Sequence, residues 1–163
     1  MENNFRATMD SSANEITFII TLLFVALFIL EFLILRVQGM IAILSSLLLL
    51  GVYLKAFLFR ALSYEITDEA LIIHRPVKNI SFPRKNLNKV EIVDKSKMRC
   101  HSHLLRINGL FGYFGKFENR SLGKFTLYAT KKNKTVLIQT IDNKIIILTP
   151  DRPSRFIKEL KNF

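Results

Sequence analysis

The sequence holds one cysteine, Cys100, in 163 residues. No disulfide can close within the chain, which agrees with a reducing compartment. Histidine is nearly as scarce. His101 and His103 lie beside Cys100, and His74 stands apart. In an extended chain the two neighbouring histidines share a face while Cys100 points away, and no carboxylate follows closely. A closed tetrahedral metal site needs four ligands and a catalytic one three, so no metal is expected. Four prolines and no long glycine repeat exclude collagen. A nucleotide phosphate loop is also missing, because Gly115-Lys116 runs into Phe117 and Gly123-Lys124 into Phe125, where serine or threonine would be required. No nucleophile–base pair, paired carboxylates or cofactor fingerprint is present. Catalysis is therefore unsupported and no cofactor is expected.

Acidic residues are few where basic ones are many. Residues 1–60 carry four of each sign, whereas residues 61–163 carry twenty basic and nine acidic, so the whole net charge of +11 lies in the second part. The first part instead holds apolar runs. Ile16 to Leu35 has Glu31 as its only charge, and Met40 to Leu54 has none, continuing past Lys55 to Phe59. Twenty helical residues at about 1.5 Å each match the roughly 30 Å hydrocarbon core of a bilayer. Both runs are apolar all round, unlike the surface helix of a soluble protein. A cleaved signal peptide would start basic and end at small residues. Here Arg6 faces Glu2, Asp10 and Glu15, and Leu35 to Gly39 makes a poor cleavage site.

These features predict a cytoplasmic tail over 1–15, a transmembrane hairpin over 16–60 and a separate domain over 61–163 that folds alone. Arg60, Arg75, Lys78, Arg84 and Lys85 follow the second run closely. Positive charge of this kind marks the cytoplasmic side. The expected topology is a multi-pass protein of the cell (inner) membrane with both termini in the cytoplasm.

Glu31 is costly in such a span, but sixteen of the twenty residues in its run are Ile, Leu, Phe or Val, and these offset it. Reflecting the chain about positions 37–38 sets Glu31 at the depth of Leu44 to Ser46, so Ser45 and Ser46 are candidate donors. Lys55 falls near Thr21, where its stem can snorkel. An intramembrane acid is a functional candidate. The alternative is a protonated carboxyl that acts as packing glue.

From Leu62 the apolar pattern has period two. Short strands are expected at 62–67, 70–74, around 80–82, at 89–95, 124–129, 136–140 and 144–148, with two- to four-residue turns between several of them. Lys131 to Lys134 is expected to turn one strand directly into the next. Asp151 is a candidate helix cap, and Phe156, Ile157, Leu160 and Phe163 share a helical face. The fold class expected is an α+β membrane protein, with a two-helix hairpin followed by an antiparallel β-barrel or sandwich capped by a C-terminal helix.

The segments "YEITDEALIIHR" (64–75), "GLFGYFGKF" (109–117) with "LGKFTLYAT" (122–130), "VLIQTIDNKIIILTP" (136–150) and "PSRFIKEL" (153–160) carry a resemblance. Their arrangement resembles a pleckstrin-homology-like (PH-like) domain, and the whole chain resembles the bacterial PH-domain membrane proteins. The resemblance implies a binding or assembly module. Phosphoinositide-binding PH domains place basic residues around the loop between the first two strands. Thr67-Asp68-Glu69 stands there in this chain, so inositol-lipid binding is not implied.

The stretch Ile107 to Phe117 has a glycine at every third position, 109, 112 and 115. Two readings fit it. Phe111, Phe114 and Phe117 close over the barrel core at a bent crossover, or Phe111, Tyr113 and Phe114 form an exposed tip for lipid or a partner. The lid is preferred. The basic runs Lys95, Lys97, Arg99 and Lys131, Lys132, Lys134 suit the anionic inner leaflet, where each cation gains about 1 kcal/mol. An acidic membrane or cytoplasmic protein is the second choice of partner, a further copy of the chain included, and no nucleic acid is expected. The leading reading is a non-catalytic membrane-anchored binding or assembly module. The alternative is an accessory subunit of a membrane transporter or membrane enzyme in which Glu31 is functional.

Overall fold

The structure is a computed structural model that describes residues 3–34, 39–93, 107–108, 110–119 and 122–161. Two long helices come first, α1 (Ser11–Ile34) and α2 (Gly39–Phe59). At 24 and 21 residues both exceed the roughly 20 that cross a bilayer core. Their apolar side chains face outward, with Phe18 69%, Phe32 76% and Leu48 70% exposed. Hydrocarbon in place of water is the environment that such a surface requires. Among the described residues, these are two helices long and apolar enough to cross a membrane. The first starts earlier than its apolar run, because Asp10 caps it. Asp10 Oδ1 accepts from Ala13 N at 2.8 Å, which satisfies one of the orphan N–H groups of the first turn, and the Asp10 carbonyl accepts the first helical bond from Asn14 N at 3.0 Å.

The strands form two sheets. One has the order β1 (Asn4–Arg6), β2 (Ser63–Ile66), β3 (Ala70–His74), β4 (Ile80–Pro83), all antiparallel. The other contains β5 (Leu87–Val93), β6 (Ile107–Asn108), β7 (Tyr113–Asn119), β8 (Gly123–Ala129), β9 (Thr135–Thr140) and β10 (Ile145–Leu148), in the order β5-β9-β10-β8-β7-β6. The short helix α3 (Pro153–Lys161) ends the described chain. Arg84 Nη2 donates to the carbonyls of Glu159 and Leu160 at 3.1 and 2.8 Å, a cation at the negative end of the helix.

Two sequence expectations are corrected. Lys131 to Lys134 does not close a hairpin, because β10 lies between β8 and β9, parallel to β8 and antiparallel to β9. The reason is burial. Ile145-Ile146-Ile147-Leu148 is an unbroken aliphatic run with its last three residues buried, and such a strand belongs at a sheet centre with a neighbour on each side. The segment expected as a tail also supplies β1, whose Phe5 pairs with Tyr64 and is 6% exposed. Because β1 precedes α1 and β2 follows α2, this pairing ties both ends of the hairpin to one domain.

The main core lies between the sheets and under α3. It gathers Phe5, Tyr64, Ile66, Leu71, Ile73, Val136, Ile138, Ile146, Leu148, Phe156 and Leu160. Phe156 meets Phe5 edge-on at 5.2 Å and Tyr64 at 6.2 Å, the favoured geometry for aromatic pairs. The Tyr64 hydroxyl donates to the Tyr128 carbonyl at 2.6 Å and accepts from Thr149 N at 3.4 Å. Burial pushes its pKa up to about 12.

Candidate functional site at the junction of hairpin and domain

The glycine–aromatic stretch is where the domain meets its own helices. Gly112 has φ +127°, and a Cβ there would stand 2.9 Å from the Ala129 carbonyl oxygen. Only glycine lets the backbone approach β8 so closely. Phe111 before it has φ 59°, an uncommon conformation for an aromatic residue. It is fixed on two sides. Its N–H donates to Thr17 Oγ1 of α1 at 2.9 Å, and its ring meets Tyr53 and Phe57 of α2 edge-on at 5.0 and 5.3 Å. The Arg60 guanidinium lies 4.4 Å over Phe57 and 5.8 Å from the Phe111 ring, within cation–π range. Phe114 lies nearly parallel to Phe59 at 6.5 Å.

Phe111, Tyr113 and Phe114 are all buried, so the reading of these three as an exposed docking tip is corrected. The cover that removes them from solvent is the pair of helix ends. Leu110, Phe111 and Phe114 cluster with Ala56, Met9, Ile20, Tyr53 and Phe57. Tyr113 and Phe117 join a second cluster with Ala13, Phe125, Leu127, Ala129 and Ile147. The stretch is a lid, but over the junction rather than over the barrel alone. Burial, reinforced by the nearby charge of Asp10, pushes the Tyr113 hydroxyl up to about 12.

Asp10 fastens the loop between β8 and β9 to the start of α1. Its Oδ2 accepts from Lys132 N at 3.0 Å, and its own N–H donates to the Thr130 carbonyl at 3.1 Å. Thr130 Oγ1 in turn donates to the Thr8 carbonyl at 2.8 Å. The lysines of this loop divide. Lys131 Nζ is 2.6 Å from Asp151 Oδ1. Lys132 and Lys134 are exposed, with Lys132 Nζ 5.4 Å from the centre of the Tyr113 ring. Asp151, expected as a cap for α3, accepts from Thr8 N and Thr8 Oγ1 at 3.3 and 2.7 Å as well as from Lys131. Burial pushes its carboxyl up, but the hydrogen bonds from Lys131 and Thr8 and the Lys131 charge outweigh that and hold it below the usual range. Lys95, Lys97, Arg99 and the Cys100 to His103 group lie outside the described residues. Among the described residues no cluster of three or more His, Cys, Asp or Glu is placed to hold a metal.

Within the hairpin, Ser45 Oγ donates to Glu31 Oε1 at 2.7 Å and Ser46 Oγ to Oε2 at 2.6 Å. The carboxyl group thus receives one donor on each oxygen inside a surface that offers little else. Thr21 Oγ1 donates to the Thr17 carbonyl at 2.7 Å and lies 3.0 Å from the Tyr53 hydroxyl, while Lys55 is exposed. An apolar groove of about 260 Å³ runs beside Ser46 between Phe24, Phe28, Leu49 and Tyr53.

One feature had no sequence signal. A cleft of about 720 Å³ opens between β1 and the start of α3, with Arg6, Arg152 and Arg155 among its walls. These residues are remote in sequence and belong to no basic run, so composition alone does not unite them.

A protein-family model described as Bacterial PH domain matches residues 62–163. A match is found neither among curated proteins nor among solved structures.

Proposed function

The chain belongs to the bacterial PH domain family, and from that premise we propose that it is a membrane-anchored, non-catalytic binding module whose basic β8–β9 loop engages the anionic headgroup surface. The observation that carries the proposal is the clamp at Asp10. That residue caps a helix of membrane-spanning length and holds Lys132 and Thr130 by hydrogen bonds. The lysine loop is thereby kept at the level where hydrocarbon gives way to headgroups. Cations in that layer are attracted to anionic lipid over about a Debye length. The pairing of β1 with β2 supports a topology with both termini on one side, and the basic domain supports assigning that side to the cytoplasm of the inner membrane. An acidic protein presented at the same surface, or a second copy of the chain, would meet the same loop.

Hydrogen exchange of the full chain in vesicles tests the reading. Amides 130–135 should exchange more slowly in vesicles containing phosphatidylglycerol than in phosphatidylcholine alone, and high salt should remove the difference. Equal exchange in both lipids would refute the surface reading.

A second reading rests on the Glu31–Ser45–Ser46 contact. In an accessory subunit of a transporter or membrane enzyme, this group would form part of a polar path between helices. Loss of a transport phenotype in Glu31→Gln at unchanged protein level would favour that role. An unaffected phenotype leaves the contact as packing.

A further inference from the structure

The turn between β3 and β4, residues 75–79, stands beside the end of α2. Strand β2 starts at Ser63, soon after the helix ends at Phe59, and β3 returns antiparallel to it with His74 opposite Ser63. The Leu62 N–H donates to the His74 carbonyl at 2.9 Å and continues the pairing toward the helix. The chain after His74 therefore lies at the end of the sheet from which β2 departs. Resting on the readings of α2 as a membrane span and of the domain as a binder of headgroups, we propose that this turn is a second membrane contact. Val77 enters the acyl boundary, and Arg60, Arg75 and Lys78 hold lipid phosphates. The contact is separate from the lysine loop, which is fastened to α1.

Depth supports it. The 21 residues of α2, at about 1.5 Å each, cover about 30 Å, the thickness of the hydrocarbon core. Phe59 thus ends the span at the boundary. The Arg75 guanidinium lies 5.3 Å over the Phe59 ring, which sets the base of the turn at the level of the phosphates.

The side chains suit that level. Val77 is 67% exposed, and Pro76 beside it is exposed as well. An aliphatic tip between two cations matches a leaflet surface, where apolar groups enter the acyl boundary and cations meet anionic headgroups. Among the described residues, Arg60, Arg75 and Lys78 make no ion pair. Arg60 rests on Phe57 at 4.4 Å, and its Nε is buried without a hydrogen-bond partner. A cation partly removed from water with no anion nearby gains most from a phosphate. The other turn bounding β3, Thr67-Asp68-Glu69, holds two acids and no base, so the two turns differ in sign.

The turn is also held in shape before it binds. Arg75 Nε donates to the Lys78 carbonyl at 2.9 Å, and Arg75 N donates to Asn79 Oδ1 at 3.3 Å. A turn already fixed loses little entropy on contact. The bilayer that α2 leaves is the partner at this position, since a free phosphate would offer nothing to Val77.

Collision rates of a nitroxide on the full chain, in nanodiscs of mixed phosphatidylglycerol and phosphatidylcholine, test the contact. The label is attached through Val77→Cys or, as a control, Asp68→Cys, each combined with Cys100→Ser. Oxygen concentrates in the acyl layer and should reach the label at 77 more often than a water-soluble nickel chelate does. At 68 the order should reverse. Arg75→Gln with Lys78→Gln should shift the ratio at 77 toward that at 68. If that pair unsettles the turn, Lys78→Gln alone, on an exposed side chain, should shift it in the same direction. Lys132→Gln with Lys134→Gln should leave it unchanged. Equal ratios at 77 and 68 in the otherwise native chain would overturn the proposal, whatever amides 130–135 report about the lysine loop. A label at 77 shielded from both reagents would reassign the turn to a protein contact. An unchanged ratio in both glutamine variants would remove the phosphates, and either result overturns the proposal.

Discussion

Lys132 donates its backbone N–H to Asp10 Oδ2 at 3.0 Å, across 122 positions of sequence. The same carboxylate caps α1 through Ala13 N at 2.8 Å, so one side chain joins helix and domain. Replacing it removes both functions together. Asp10→Ala should destabilise the full chain by about 1–2 kcal/mol from the cap alone, and by more with the loop released. Asp10→Asn keeps a side-chain oxygen at the cap and should lose less. Thermal scans of the detergent-solubilised protein should rank the three as native, Asn, Ala. Equal melting of all three would mean that the clamp carries no stability.

The fragment 61–163 lacks β1, and with it Phe5 from the main core. Phe5→Ala in the full chain should cost about 3–5 kcal/mol, as for other buried phenylalanines. The excised fragment should melt well below a version in which residues 3–9 are supplied through a linker. Identical melting of the two fragments would show that the strand is dispensable and that the domain folds alone as its sequence pattern suggests.

The titrating groups set the limits of stability at both ends of the pH scale. The carboxyl of Asp151 is depressed in the folded protein, so its contribution is present above the unfolded value near 4 and is lost as pH falls through the folded one. Tyr64 and Tyr113 are raised to about 12. Their contribution is complete below the unfolded value near 10 and disappears as pH rises through the folded one. Resistance to chemical denaturation should therefore weaken below about pH 4 and again between about 10 and 12. Asp151→Asn should flatten the acid limb, and Tyr64→Phe the alkaline limb. An alkaline limb unchanged in Tyr64→Phe would remove Tyr64 from this account.

How much of this was legible in the chain depends on the range over which each signal acts. Helix length and strand period are local, and they locate α1, α2 and most strands to within a few residues. The turn of the hairpin leads from Glu31 to Ser45 and Ser46 by simple reflection, and their hydroxyls meet the carboxyl group. The three-residue strand β1 has too few positions for a period to register. The aliphatic run of β10 announces burial on both faces, but not which neighbours it takes, and the parallel pairing with β8 follows from that choice. The docking of Phe111 on Tyr53 and Phe57 was hidden for another reason. Each segment looked complete as a helix or a lid, and only their contact shows that each covers the other. Arg6 comes to line one cleft with Arg152 and Arg155 through the placement of β1, so the cleft was invisible for as long as that strand was.

The glycine–aromatic stretch permits the sharpest separation of stability from binding. Phe111 and Phe114 are 7% and 8% exposed, and both touch rings of α2. Changing both to serine should remove roughly 3 kcal/mol or more each. The full chain should then melt early, with the helices retained and the domain loosened from them. Gly112→Ala should act in the same direction from the backbone side, because its Cβ would meet the Ala129 carbonyl oxygen at 2.9 Å and φ +127° is hostile to any side chain. If these residues served lipid instead, the double serine variant would keep its melting temperature and lose the slowing of amide exchange by phosphatidylglycerol. The lysine loop supplies the converse control. Lys132 and Lys134 are exposed, so replacing them with glutamine should leave melting nearly unchanged while the slowing of amide exchange at 130–135 by phosphatidylglycerol disappears. A thermal scan and an exchange measurement on the same two variants thus assign the aromatics to the joint and the lysines to the surface, or reverse the assignment.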